Sequence, residues 1–267
     1  MVANVIPLHA PVQDVGALLN TVHQAECIAF MRTLPDACVD LIATDPPYRF
    51  QQKNFYRTQD PSAVTNKFKK VHLRKLSHVD THMGLSFDPI QYLEECERIC
   101  RGFNGYFFCN KDLVPDYINW AKGRKYSFDI LLWDKVNCMP NHNQHYLIDK
   151  EYCIFIRKSG AYFQSKLQMQ TYRTVKRYPY QKKRTSHPTE KPVAMLRELI
   201  LVSSPPGAVV FDGFTGSGTT AIAAQQTGRN FLGCDWDATF VREANEQLAQ
   251  LPLLTEGFQP LKKARVA

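Results

Sequence analysis

From Val39 to Thr44 the chain runs Val-Asp-Leu-Ile-Ala-Thr and halts at Asp45-Pro46-Pro47, a pattern that predicts a buried strand. Apolar runs predict further strands at Gly105–Cys109, Phe128–Trp133 and Tyr152–Arg157. Helices are predicted over Pro89–Cys100 and over Pro192–Val202, the latter with proline in its first turn. The last third has the sharpest rhythm. A strand at Ala208–Asp212 leads through a glycine-rich turn to a helix at Thr219–Thr227, closed by Gly228. A strand at Asn230–Asp235 and a helix at Asp237–Leu251 follow. Strands alternating with helices predict an α/β fold built on a mostly parallel, doubly wound sheet. Residues 1–20 carry no clear pattern and are expected to form a loosely ordered arm on a single domain spanning 21–267.

Two stretches break the rhythm. Arg49–Asp80 holds eight Lys or Arg and two acids, and Lys158–His187 holds eight Lys or Arg and no acid. Tyr162, Phe163, Tyr172, Tyr178 and Tyr180 are interleaved in the second stretch. A solvated basic face is the usual meaning of a charge run. Thirty residues without a carboxylate, sprinkled with aromatics, fit better a surface that tracks phosphates and stacks bases. Residues 49–80 are therefore expected as a basic insertion and 158–187 as a small inserted target-recognition region. The candidate DNA contacts are Lys166, Arg173, Lys176, Arg177, Lys182, Lys183 and Arg184.

Composition adds little to this. The 267 residues are 44% hydrophobic, enough for a sizeable core, and the net charge of +8 suits a polyanionic partner. Eight cysteines form no Cys-x-x-Cys pair and sit mostly in apolar runs, as in a reduced, intracellular protein. Cys96 and Cys100 have a spacing that could serve a metal, but buried thiols on one helix face are the simpler reading, and no metal is expected. No apolar stretch reaches membrane-spanning length, and the N-terminus has no signal-peptide pattern.

The first candidate for chemistry is Asp45-Pro46-Pro47-Tyr48 at a strand's carboxyl end, where open α/β sheets place ligands. Two prolines remove two N–H groups, so carbonyl oxygens face outward as acceptors. A carboxylate beside a carbonyl makes an acceptor-only pocket that suits an amino group. The amine of adenine or cytosine is a poor nucleophile because its lone pair is delocalised into the ring. Two acceptors on its hydrogens pull it toward tetrahedral geometry, and Tyr48 could stack on the base. A proline-stiffened turn is the bland alternative.

The second candidate is Phe211-Asp212-Gly213-Phe214-Thr215-Gly216-Ser217-Gly218-Thr219-Thr220, between a strand and a helix. Its glycines let a ligand approach the backbone, and a helix N-terminus offers N–H groups to a carboxylate. It lacks the lysine of a phosphate-binding loop, although a dinucleotide would also fit. Asp235, 22 residues after Gly213, has the position of an acid that grips ribose hydroxyls. Asp237 competes for that role and also suits a helix N-cap.

Together these residues resemble the β-type S-adenosylmethionine-dependent amino DNA methyltransferases, in which the catalytic motif precedes the cofactor motif. The resemblance runs from about Glu26 to Leu248. Asp45–Tyr48 matches the family's catalytic motif, and Phe211–Thr220 matches its cofactor motif, with Phe214 against the cofactor and Gly213 where the family has proline. His187-Pro188-Thr189-Glu190-Lys191-Pro192 matches the motif that holds the cofactor's methionine end, and Glu26 stands near the place of the acid beside its adenine. Trp133-Asp134-Lys135, Asn137, Met139-Pro140-Asn141 and Glu151 look closest to the cell-cycle-regulated adenine methyltransferases.

The resemblance implies S-adenosylmethionine as cofactor and double-stranded DNA as substrate, with the target base flipped from the stack. It implies methylation of N6 of adenine, since members with Asp first tend to modify adenine. His187 is expected to orient the cofactor rather than to act as a base. N4 of cytosine is the nearest alternative. RNA or glutamine methylation and a catalytically silent DNA-binding subunit stand further off. The short recognition segment suggests a homodimer, and the family suggests a cytoplasmic, DNA-associated setting in a bacterium or virus.

Overall fold

The computed structural model describes residues 14–48, 87–138, 146–180, 185–186 and 190–251. The basic insertion 49–80, Met139-Pro140-Asn141, Lys182, Lys183, Arg184 and His187-Pro188-Thr189 lie outside these residues.

Among the described residues eight strands form one sheet: β1 (Val22–Gln24), β2 (Leu41–Thr44), β3 (Asn104–Cys109), β4 (Ser127–Asp134), β5 (Lys150–Arg157), β6 (Val175–Arg177), β7 (Val209–Asp212) and β8 (Asn230–Asp235). Their order across the sheet is β1-β8-β7-β2-β3-β5-β4-β6. Only β5 runs against its neighbours β3 and β4; every other pairing is parallel. The helices are α1 (Cys27–Thr33), α2 (Pro89–Ile99), α3 (Val114–Gly123), α4 (Val193–Ser203), α5 (Thr219–Gln226) and α6 (Ala238–Ala249).

The central strands read as continuous apolar runs because both faces are covered. Their side chains alternate between two cores. Ile42, Phe107, Ile154, Ile156, Phe211 and Leu232 face α1, α2 and α3. Leu41, Tyr106, Phe108, Phe155, Val210 and Phe231 face α4, α5 and α6. The result is a three-layer Rossmann-like fold with helices on both faces, as expected. Among the described residues no helix is long and apolar enough to cross a membrane.

Several expectations shift. Pro192 is an N-cap rather than a helical residue, while Asp237 is the N-cap that the sequence suited, accepting from Thr239 N at 2.7 Å. The segment from Asp14 to Asn20 is not a loose arm. A short 3-10 turn at Val15–Leu18 lies against the core, and Asn20 bonds both Phe231 and Asn230 on β8. The recognition region is not wholly an insertion either, because its residues 175–177 form β6, pairing with β4 at the sheet's edge.

Candidate active site

The parallel strands all end at one edge of the sheet, and that edge carries the chemistry. Asp45 follows β2, Asp212 ends β7 and Asp235 ends β8. Because β5 runs the other way, its beginning lies at this edge too. Glu151 pairs with Trp133 near the end of β4, and Tyr152 pairs with Cys109 at the end of β3. The two motifs are neighbours because β2 and β7 are hydrogen-bonded partners.

Asp45 sits in a network of buried charge. Lys191, entering just before α4, is ion-paired to Asp45 Oδ2 and reaches Glu151 Oε1 at 2.7 Å. Lys135 holds the other oxygen of Glu151 at 2.9 Å. Tyr48 bonds Asp45 Oδ1 at 2.8 Å and also bonds Glu151 Oε1. The side chains of Lys191 and Lys135 are 6% exposed and that of Glu151 is 11% exposed, whereas the Asp45 side chain keeps 23%. Burial pushes Asp45 above its ordinary value, and the Lys191 ammonium opposes that push. Burial also acts on Glu151, but Lys191 and Lys135 together hold it well below the usual carboxylate range. Tyr48 therefore has its hydroxyl turned into this network.

The glycine-rich turn is held from beneath. Asp212 accepts from Thr44 Oγ1 and from Phe214 N, so its carboxylate faces the turn's own framework. Asp235 accepts from Gly216 N at 2.8 Å and from Asp237 N at 3.0 Å. Burial pushes both acids up to about 6. Gly218 has φ +79 and caps α5, and a Cβ there would lie 2.9 Å from Ala244 Cβ. A Cβ at Gly213 would collide with Cys27 Sγ on α1, which gives a physical reason for glycine at that place. Ser217 O accepts from Gln247 on α6, and Thr219 opens α5.

Phe214 is half-buried and packs edge-on against Tyr92 and Phe87, at ring distances of 5.3 and 5.6 Å. Glu26 N-caps α1, accepting from Ile28 N and Ala29 N at the end of β1, beside β8. Trp236, which the motifs did not single out, directly follows Asp235 and is 44% exposed. Its signal in the sequence is a large aromatic right after an acid at a strand's end.

The recognition residues divide. Lys166 and Arg173 are exposed, and Arg177 is exposed while paired to Asp134 at 3.2 Å. Lys176, expected at the DNA surface, is buried instead: on the alternating edge strand β6 its side chain points inward to Glu198 on α4 and the Thr171 carbonyl. Among the aromatics, Tyr178 bonds Glu198 at 2.6 Å. Tyr180 stays exposed, with Lys135 Nζ 5.3 Å from its ring centre. Lys135 Nζ also lies 5.0 Å from the Trp133 ring centre.

Comparison with known proteins agrees with this geometry. Residues 39–246 match the family model for N6/N4-type DNA methylases. Type II methyltransferase M.HinfI of Haemophilus influenzae is 26% identical over 90% of this chain and 71% of its own length. Type II methyltransferase M1.MboII of Moraxella bovis is 23% identical over 88% of this chain and 98% of its own. Among solved structures, the M1.HpyAVI–SAM complex superposes with a TM-score of 0.60 at 22% identity, over 86% of this chain and 99% of its own. The cytosine-N4-specific PvuII DNA methyltransferase superposes with a TM-score of 0.63 at 11% identity, over 93% and 94%. The chain belongs to the DNA methylase family and is an S-adenosylmethionine-dependent DNA methyltransferase.

Proposed function

We propose that the protein transfers the methyl group of S-adenosylmethionine to N6 of adenine at a specific site in duplex DNA. The observation that carries this reading is Asp45 opening Asp-Pro-Pro-Tyr at the end of β2, next to the glycine-rich turn after β7. The target base leaves the stack, because its amine is inaccessible within the duplex. Asp45 and the Pro46 carbonyl accept the two amine hydrogens, and Pro47 fixes the turn. Tyr48 exchanges its carboxylate bonds for the face of the base. S-adenosylmethionine would supply the methyl group: the freed lone pair would form the N–CH3 bond as the S–CH3 bond breaks, and the methylated nitrogen would then lose one proton to water. The work is positioning and electrostatics, with no covalent enzyme intermediate.

On this reading the cofactor lies along the turn Phe211–Thr219. Asp235 would accept from its ribose hydroxyls, and Glu26, Trp236 and Lys191 are the further residues at this edge that would hold it. Exposed Lys166, Arg173 and Arg177 meet phosphates. The motif content favours kinship with the cell-cycle-regulated adenine enzymes, and the short recognition segment favours a homodimer. Mass spectrometry of DNA methylated by the purified protein should find N6-methyladenine, and Asp45→Asn should abolish it while cofactor still binds. Only N4-methylcytosine in the digest would replace adenine by cytosine as the target.

A further inference from the structure

The acceptor pocket works only while Asp45 is ionised, since a protonated carboxyl presents a donor to the amine. Asp45, Glu151, Lys191 and Lys135 form two carboxylates against two ammoniums, joined in the order Asp45–Lys191–Glu151–Lys135. The charges cancel as a set, and Lys191 is the one cation of the four that touches Asp45.

We propose that Lys191 and Glu151 are positioning residues that set the ionisation of Asp45, Lys191 by facing it with an ammonium and Glu151 by anchoring that ammonium and Tyr48. The inference rests on Asp45 being the amine acceptor, and it gives Lys191 a task beyond the methionine end of the cofactor.

Among the described residues, the other groups near the pocket leave this role to Lys191. Cys109 from β3 and Cys153 from β5 are buried thiols held neutral, their deprotonation pushed far upward by burial. Tyr117 of α3 is likewise kept neutral by burial. Asp212 from β7 adds negative field and so favours protonation of Asp45. Tyr48 has one proton for two carboxylate oxygens and cannot satisfy both.

Removing Lys191 leaves two partly buried carboxylates with Lys135 as the remaining cation of the four. Lys135 stays on Glu151, so the proton taken up goes to Asp45. Removing Glu151 has the opposite sign. Asp45 loses a like charge, and Lys191 is left with Asp45 as its one carboxylate partner, so Asp45 holds its charge to lower pH.

The test is the pH dependence of kcat for wild type, Lys191→Met, Lys191→Arg and Glu151→Gln, beside infrared spectra of the carboxyl region in the same proteins. Lys191→Met should move the acid limb upward, with kcat at neutral pH falling about tenfold for each unit by which the limb passes above neutral pH and recovering as pH rises. Lys191→Arg should restore much of the neutral activity. Glu151→Gln should move the limb downward, whatever its effect on the maximum. Lys191→Met should also show a protonated-carboxyl band at neutral pH that disappears when Asp45→Asn is added. Uniform loss in both variants with unmoved limbs and no such band would overturn the proposal. So would a Lys191→Met enzyme with wild-type kcat and only a raised KM for the cofactor. The infrared band needs no turnover. A wild type inactive on DNA would therefore sink the proposed function, while the band still decides this one. If Lys191→Met does not fold, the direction of the Glu151→Gln shift decides it.

Discussion

Thr44 donates a 2.8 Å hydrogen bond to Asp212 Oδ1, joining the last residue before the Asp-Pro-Pro-Tyr turn to the last strand residue before the glycine-rich turn. Phe214 N donates to the same oxygen at 3.0 Å. One buried carboxylate oxygen thereby sets how the catalytic and cofactor loops stand to each other, which explains why an acid at the end of β7 is turned inward.

That arrangement has a cost that pH exposes. Asp212 ordinarily titrates at 3.8 and is pushed to about 6 in the folded protein. A raised folded value means that stability is fullest below 3.8 and is lost as pH rises through about 6. Asparagine keeps the Oδ1 acceptor without the charge. Asp212→Asn should thus be more stable than wild type at neutral pH, by up to about 3 kcal/mol, with the gap closing on acidification. Thermal melts across this range check it, and a gap independent of pH would show that charge burial is not its origin.

Asp235 and Asp237 can be separated by cofactor affinity. Asp235 is buried at the end of β8, while Asp237 spends its carboxylate on the α6 N-terminus. Asp235→Ala should weaken S-adenosylmethionine binding by about 1.5–3 kcal/mol, and Asp237→Ala should act mainly on stability, by about 1 kcal/mol. Wild-type affinity should also fall as pH drops through about 6, where Asp235 takes up a proton and loses the charge that strengthens its bonds to the hydroxyls. Calorimetric titration of both variants tests the order, and equal losses would share the ribose between the two acids.

Much of the frame was legible in the chain because central strands covered on both sides are apolar along most of their length, as β2, β3 and β7 are apart from Thr44, Asn104 and Asp212 at their ends. The glycine-rich turn and Asp235 were legible because β7–turn–α5–β8 is local in sequence. The elements that escaped are short or polar. β1 is Val-His-Gln, α1 has seven residues, and β6 has three on an edge. The α3 helix buries only Tyr117, Trp120 and Ala121 among its ten residues, too few to give a clear stripe. The charge network escaped because its members are joined only by folding. Motif matching placed Glu151 and Lys191 in separate segments, and the antiparallel entry of β5 brings them together.

Gly213 and Cys27 should prove energetically coupled. A Cβ at 213 would meet the Cys27 sulfur, which is buried against α1's own Met31. Gly213→Ala alone should cost about 1–3 kcal/mol from overpacking, and the same change in a Cys27→Ala background should cost clearly less. Denaturant melts of the four proteins give the coupling. Additive costs would mean that the turn rejects alanine for a reason other than this contact.

The basic residues around β6 should separate by side. Lys166 and Arg173 are exposed, so if they meet phosphates each contact releases counterions and contributes about 0.9 to the slope of log affinity against log salt. Replacing both with Ala should weaken binding to any duplex and reduce that slope by nearly two. Lys176 lies between the exposed Val175 and Arg177 on β6 and faces the opposite way, into Glu198. Lys176→Met leaves a partly buried carboxylate without its ammonium and should lower folding stability by about 3 kcal/mol or more. Its salt slope should match wild type under conditions where it remains folded. Salt titrations on a nonspecific duplex, paired with melts, distinguish the two behaviours. A slope change in Lys176→Met equal to that of a surface variant would mean that this side chain leaves Glu198 for phosphate when DNA binds. An unchanged slope in the Lys166/Arg173 variant would move the phosphate contacts to the basic residues of 49–80 and to Lys182, Lys183 and Arg184.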